Sequence, residues 1–255
     1  MVLVNQEHAS SPAPPGKVSV SVTMPVYNEA AGIADVIADV IEHVLDVVPR
    51  SELVVVDDHS TDATLRRLQE AAALDPRIRV LHNEVNSGHG RSLRRAMDAS
   101  TGEWIFHLDS DGQVDVSEFD LLWSRAADAD LVLGMRITRH DPLHRLVLTR
   151  LTRGTVSLLA RRRIRDANVP FKLIRRNLYE HLLPAIPAET FAPSILIVLG
   201  AYRCGARVVE VETTHLPRVH GRSTLRLQRL AAAVLRTTLQ TLSFSRCSLA
   251  PYERN

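Results

Sequence analysis

The chain has 255 residues, of which 45% are hydrophobic and 24% charged. That balance excludes a disordered chain, and the length suits one large α/β domain or two small ones. With 31 Lys and Arg against 29 Asp and Glu, the net charge is only +2. A generic nucleic-acid binder is more basic, so no nucleic-acid partner is expected. Arginine supplies nearly all the positive charge, the lysines being Lys17 and Lys172. Cys204 and Cys247 cannot build a disulfide framework, which points to a reducing compartment. Residues 1–16 form a Pro/Ser/Ala-rich stretch without a basic n-region, expected to be a disordered tail and not a signal peptide. The longest apolar run, Ile195 to Tyr202, is too short to cross a bilayer. A cytoplasmic protein is therefore expected.

Strand and helix signals alternate through the first half. Val18 to Met24 is β-branched and alternating, a first strand. Ala31 to Val48 places Ile33, Val36, Ile37, Val40, Ile41, Val44 and Leu45 at helical spacing. Leu53 to Val56 is a short continuous apolar run, as in a strand buried on both faces. A helix over Thr61 to Leu74 follows, with Ser60 or Thr61 as its cap. Further strands are expected at Arg77 to His82, Trp104 to Leu108 and Leu131 to Met135, with helices at Ser92 to Ala99 and Val116 to Ala127. This rhythm predicts a mostly parallel sheet with helices on both faces. Ligands of such sheets bind beyond the carboxyl ends of the strands. Polar clusters fall there: Tyr27-Asn28-Glu29, Asp57-Asp58, Asn86 to Gly90, and Asp109 to Gln113.

After residue 135 the rhythm changes. His140-Asp141-Pro142 reads as a loop and Leu143 to Ala160 as a basic amphipathic helix, followed by Arg161-Arg162-Arg163. Pro170 to Ile174 is short and extended. Pro193 to Cys204 has the composition of a buried helix, and Val208 to Val211 that of a strand. Leu225 to Leu242 forms a second amphipathic helix, with Leu227, Leu230, Ala231, Val234, Leu235, Leu239 and Leu242 on one face.

The sharpest chemical signal is Asp109-Ser110-Asp111-Gly112-Gln113 at the end of an apolar strand. Alternate residues of an extended segment point the same way, so Asp109 and Asp111 can converge. Two converging carboxylates suit a hard divalent cation, Mg²⁺ or Mn²⁺, holding a diphosphate. The same residues also suit a turn in which Asp caps a helix. Asp57 and Asp58 directly follow Val54-Val55-Val56. There a carboxylate accepts a base N–H or a ribose hydroxyl, or caps the next helix. Lys172 is a phosphate candidate, or a lysine snorkelling from the edge of the core.

The ordered set Val22 to Glu29, Val56 to Asp62, Asn86 to Gly90 and Asp109 to Gln113 resembles family 2 glycosyltransferases of the GT-A fold. Gly134-Met135-Arg136 and His215 to Ser223 are similar to the dolichol-phosphate mannose synthase group, the polyprenyl-phosphate glycosyltransferases. The resemblance covers roughly residues 18–225. It implies inverting transfer from a nucleotide sugar, GDP-mannose or a UDP-hexose, to a polyprenyl phosphate. It also implies that Asp109, Asp111 and Gln113 hold the metal, and that Pro25, Tyr27, Glu29 and Asp57 or Asp58 line the nucleotide pocket. Arg136 and Arg218, with Ser223, match residues that meet the donor diphosphate or the acceptor phosphate. That assignment agrees with the paired hydrogen bonds Arg makes to phosphate. Asp109, Asp111, Arg136 and Arg218 form the expected catalytic group.

A sugar hydroxyl needs a base as it attacks, whereas a phosphate monoester is already anionic. Many relatives that glycosylate hydroxyls carry an acid where this chain has Phe191-Ala192-Pro193-Ser194. Its absence fits a phosphate acceptor. A soluble small-molecule or glycan hydroxyl is the alternative acceptor, and Glu189 and Asp166 are the nearest base candidates. His59 stands in place of the usual glycine, and His89 where Lys is common. His107, two residues before Asp109, reads as a strand residue, with a third metal ligand as the alternative. The expected organisation is a tail at 1–16, the GT-A domain at 17–225 and an amphipathic helix with tail at 226–255. The two basic amphipathic helices suit the surface of an anionic leaflet at the inner face of the cell membrane, packing over the sheet, or a homodimer interface.

Overall fold

The structure, a computed structural model, describes residues 19–136, 154–214, 216 and 227–254, with residues 136 and 227–232 described by their backbone alone. Seven strands form one sheet: β1 (Val20–Val26), β2 (Glu52–Asp57), β3 (Ile78–His82), β4 (Trp104–Leu108), β5 (Leu131–Arg136), β6 (Phe171–Arg175) and β7 (Val208–Thr213). Their order is β3-β2-β1-β4-β6-β5-β7. All neighbours are parallel except β6, which runs antiparallel between β4 and β5. The expected mostly parallel sheet is present, and the extended segment near Phe171 is its reversed strand.

Every residue of β1, β2 and β4 is buried, as expected of strands covered on both faces. Alternate residues of β2 divide between two cores. Leu53 and Val55 join the main cluster, while Val54 and Val56 pack with Ala96 of helix α3 (His89–Ala99). Phe106 of β4 is held between Phe119 and Phe171, with ring centroids 4.9 and 5.2 Å away. Each such contact is worth about 0.5–1.5 kcal/mol beyond area burial. They fix the strand that delivers Asp109.

Several boundaries differ from the sequence expectations, each for a local reason. The first strand runs to Val26, because Pro25 and Val26 still pair with Val56 and Asp57; Val18 lies outside the described residues. The first helix, α1 (Ile33–Val40), buries Ile33, Val36, Ile37 and Val40, then widens into a π-turn over Ile41–Leu45. Asp46 N–H there reaches back five residues to the Ile41 carbonyl at 2.9 Å. Helix α2 (Thr64–Leu74) starts three residues late, because Thr61 and Asp62 bond to the loop after β1. Helix α3 starts three residues early, at His89. The helix expected over Val116 to Ala127 is two 3₁₀ turns flanking a short helix, α4 (Phe119–Trp123).

Helix α5 (Arg176–Leu182) was not anticipated; it buries Leu178, Tyr179 and Leu182. Helix α6 (Pro193–Cys204) is buried almost all round, as its composition indicates. It ends on Gly205 at φ 82, the left-handed position glycine fills without strain. Of the segment Leu143 to Ala160, only residues 154–160 are described, and they are helical. Helix α7 (Leu227–Ser245) does not bury the whole face expected of it. Thr237, Thr241 and Phe244 are buried, while Leu235, Leu239 and Leu242 are exposed.

Candidate active site at the carboxyl rim

Strand order reverses beside β1, whose neighbours are β2 and β4. Ligands of open α/β sheets bind at such a switch point, beyond the strand carboxyl ends. The loops after β1, β2, β3 and β4 all reach this rim, so the four polar clusters of the sequence meet there.

The loop after β1 is stitched to the loop after β2. Asn28 N–H donates to Ser60 Oγ at 3.0 Å, and Thr61 N–H donates to Asn28 Oδ1 at 2.8 Å. Glu29 N–H donates to Thr64 Oγ1 at 3.0 Å. His59 sits in this frame at φ 64. A β-carbon is strained there and glycine is not, which accounts for the usual glycine at that place. Pro25 is buried in β1, while Tyr27 is exposed at the mouth.

Asp57 and Asp58 are both buried but differ in what they have left to accept. Asp58 Oδ1 accepts from Asn83 Nδ2 at 2.7 Å and from Ser87 N–H at 2.8 Å. Its Oδ2 accepts from Gly88 N–H at 2.8 Å. Asp58 therefore shapes the loop that leads into α3. Asp57 Oδ2 accepts from Ser60 N–H at 3.1 Å and meets His82 Nδ1 at 2.8 Å. Asp57 Oδ1 is buried and has no partner among the described residues.

The motif Asn86 to Gly90 is explained by two glycines. Gly88 stands at φ 87 as the residue before α3. A β-carbon on Gly90 would lie 2.2 Å from the Phe191 carbonyl oxygen, so the start of α3 presses on the 190–191 backbone. This contact sets His89 over the end of β4. His89 Nε2 lies 2.9 Å from Asp109 Oδ1, and His107 Nε2 lies 3.4 Å from the same oxygen. Burial pushes the His107 imidazole down to about 4. Desolvation opposes charge on Asp109, yet the His89 charge and the contacts of both histidines hold its carboxyl far below the usual range. Desolvation also opposes charge on His89, but Asp109 raises its imidazole above the ordinary value.

Asp111 stands nearby, its Oδ1 accepting from Gln113 N–H at 3.2 Å. Gln113 carbonyl accepts from Leu216 N–H at 2.9 Å, tying this turn to the segment beyond β7. Among the described residues, His89, His107 and Asp109 are the one group of three His, Cys, Asp or Glu whose ligand atoms gather within 4.8 Å. The sequence shows both histidines, but not that they meet. Period-two alternation, which puts His107 and Asp109 on one face, was the available signal.

Lys172, opposite His107 in the sheet register, is fully buried. Its ammonium donates to Ser194 Oγ at the start of α6 and lies 3.5 Å from the Ala167 carbonyl. Glu189 pairs with Arg91. Asp166 is buried, and its Oδ1 accepts from Asn168 N–H at 3.1 Å. Arg136 closes β5 opposite Thr213, with only its backbone described. Arg218 and Ser223 lie outside the described residues.

A seven-stranded sheet with this order and an Asp-rich rim at its switch point defines a GT-A glycosyltransferase fold. The family model for glycosyl transferase family 2 matches residues 21–186, and the chain belongs to that family. It is 29% identical over 209 residues to glycosyltransferase AglD of Haloferax volcanii, covering 79% of this chain and 34% of that protein. It is also 29% identical over 214 residues to the undecaprenyl-phosphate 4-deoxy-4-formamido-L-arabinose transferase of Pseudomonas aeruginosa, covering 83% of this chain and 61% of that one. The chain thus spans between a third and about three-fifths of these relatives. Among solved structures, glucosyl-3-phosphoglycerate synthase of Mycobacterium tuberculosis with Mn²⁺, UDP and phosphoglyceric acid superposes with a TM-score of 0.68 at 22% identity. That match covers 91% of this chain and 80% of that one. Staphylococcal TarS with UDP gives 0.59 at 21% identity, covering 90% and 73%.

Proposed function

We propose that this chain transfers one sugar from a nucleoside-diphosphate donor, GDP-mannose or a UDP-hexose, to a polyprenyl phosphate, with inversion and with a divalent metal. The observation that carries the reading is the family 2 fold with Asp109 and Asp111 beside its switch point. The name of one relative, the undecaprenyl-phosphate 4-deoxy-4-formamido-L-arabinose transferase, supports the acceptor class. Ser194 supports it too: it stands in the helix start where a base would be placed, and bonds to Lys172 instead. A phosphate acceptor needs alignment and charge stabilisation, not deprotonation.

The donor's base lies over Pro25 and Tyr27, with Glu29 beside its ribose. Asp57 Oδ1, buried and unpartnered, takes a nucleoside N–H or hydroxyl, while Asp58 shapes the adjoining loop. The donor set at the rim, carboxylates beside a buried imidazole, fits a cation. Asp109, Asp111 and Gln113 hold Mg²⁺ or Mn²⁺, which neutralises charge on the departing diphosphate. Arg136, Arg218 and Ser223 grip the phosphates. No helix among the described residues is long and apolar enough to cross a membrane. Peripheral contact gives access to a lipid acceptor, and the exposed Leu235, Leu239 and Leu242 of α7 are suited to it.

The test is a radiolabel transfer assay offering GDP-mannose, UDP-glucose and UDP-N-acetylglucosamine, each with a short polyprenyl phosphate and Mg²⁺ or Mn²⁺. Label entering the organic phase from one donor is the expected result. Donor binding without transfer to the lipid phosphate would overturn the acceptor assignment in favour of a soluble hydroxyl.

A further inference from the structure

The Asp-x-Asp motif leaves the histidines around Asp109 unused. His107 is 1% exposed, yet neither ring nitrogen has a hydrogen-bond partner among the described residues. A buried polar atom without a partner is costly and calls for an explanation. Its Nε2 faces Asp109 Oδ1 at 3.4 Å, and His89 Nε2 faces the same oxygen at 2.9 Å. The His89 contact is an ordinary hydrogen bond; the His107 contact is not.

Both spacings suit neighbours in one coordination shell. Adjacent ligands about 2.1 Å from a six-coordinate ion lie about 3.0 Å apart, and those of a tetrahedral ion about 3.4 Å apart. His89 is supplied by the first turn of α3 with a half-exposed ring, so it can turn onto an arriving ion. His107 is fixed by the core. The field at the site is mixed. Asp111 and Asp58 act on His89 together with Asp109, and Lys172 acts on His107 from β6. Three carboxylates outnumber the two cationic groups, Lys172 and His89, and leave a site that attracts a cation.

We propose that His89 and His107 join Asp109 as nitrogen ligands of the divalent ion, so that the site takes Mn²⁺ in preference to Mg²⁺. The inference rests on the metal-dependent reading above and adds ligands to it. Mg²⁺ keeps to oxygen donors and water, whereas imidazole suits transition ions. An all-oxygen shell on Asp109 and Asp111 would leave His107 buried without a partner.

Electron spin-echo modulation of Mn²⁺ bound to the full chain with UDP or GDP tests this. The protein is prepared once with natural nitrogen and once with ¹⁵N-histidine, so that nucleotide nitrogen is distinguished from imidazole. The expected result is modulation from two imidazoles that changes with the histidine label. His89→Gln should remove one of them and weaken Mn²⁺ binding about tenfold or more, while Mg²⁺ binding moves less than about twofold. His107→Gln should remove the other; where it fails to fold, the labelled wild type decides alone. Bound Mn²⁺ without histidine modulation overturns the ligation and leaves the metal reading standing. Failure of Mn²⁺ to bind with either nucleotide overturns both.

Discussion

The two ends of strand β2 carry buried carboxylates that have been put to opposite uses. Glu52, at the start, accepts from Ser21 Oγ at 2.7 Å, Thr101 N–H at 2.7 Å, Thr101 Oγ1 at 2.8 Å and Arg79 Nη1 at 2.9 Å. Asp57, at the end, has its Ser60 and His82 contacts on Oδ2 and leaves Oδ1 buried and, among the described residues, unpartnered. A fully partnered buried carboxylate joins strands; one with an open acceptor costs stability until a ligand completes it. Along β2 the amino end is built to hold, and the carboxyl end keeps capacity in reserve.

The comparison breaks most sharply at the rim. Asp111→Ala should lower transfer on the order of a thousandfold while the thermal transition stays near wild type. Transfer at wild-type rate by this variant in the presence of chelator would remove the metal from the mechanism. Asp57→Asn is the next largest effect and a sharper one. The amide keeps an oxygen for Ser60 and His82, but places an NH₂ where Oδ1 stood, and a donor N–H cannot bond to it. Donor affinity measured by calorimetry should fall about 10- to 100-fold, the equivalent of about 1.5–3 kcal/mol for a charged hydrogen bond. An unchanged affinity would show that Oδ1 does not face the nucleotide.

This division of labour was only half legible in the sequence. The Asp pairs at strand ends follow from apolar runs that stop abruptly, and their shared rim follows from the parallel rhythm. Which of Asp57 and Asp58 stays open did not follow, because it depends on Asn83, Ser87 and His82 arriving from other loops. His107 reads from the sequence as a strand residue or a third metal ligand, and the choice depends on burial and the approach of α3, which are tertiary facts. Helix α5 carries neither a capping side chain nor length, so only the burial of Tyr179 and its neighbours reveals it. The leucine face of α7 was misleading for a related reason. Thr241 Oγ1 donates to the Thr237 carbonyl at 2.7 Å, so that hydroxyl is satisfied within the helix and can face inward. Phe244 then closes over Gly200, whose added β-carbon would lie 3.2 Å from its ring.

At the amino end the expected signature is stability with catalysis spared. Glu52→Gln should destabilise the fold by about 1–3 kcal/mol at pH 7, a shift in the thermal midpoint on the order of 5 °C, with donor affinity unchanged. A loss of donor affinity at constant stability would erase the distinction between the two ends of β2.

The smallest effect is the pH dependence of that same difference. Burial works to raise the Glu52 carboxyl, but hydrogen bonds from Ser21, Thr101 and Arg79 prevail and hold it below its ordinary value of 4.5. A carboxyl lowered by folding stabilises the native state above its unfolded value, and that contribution fades as pH falls through the folded value. The stability gap between wild type and Glu52→Gln should therefore be constant from pH 7 to about 5 and narrow below about 4.5. Denaturant midpoints of the two proteins across that range give the measurement. A gap that widens on acidification would mean that the Glu52 network is held by the protonated form, reversing the role assigned to the amino end of the strand.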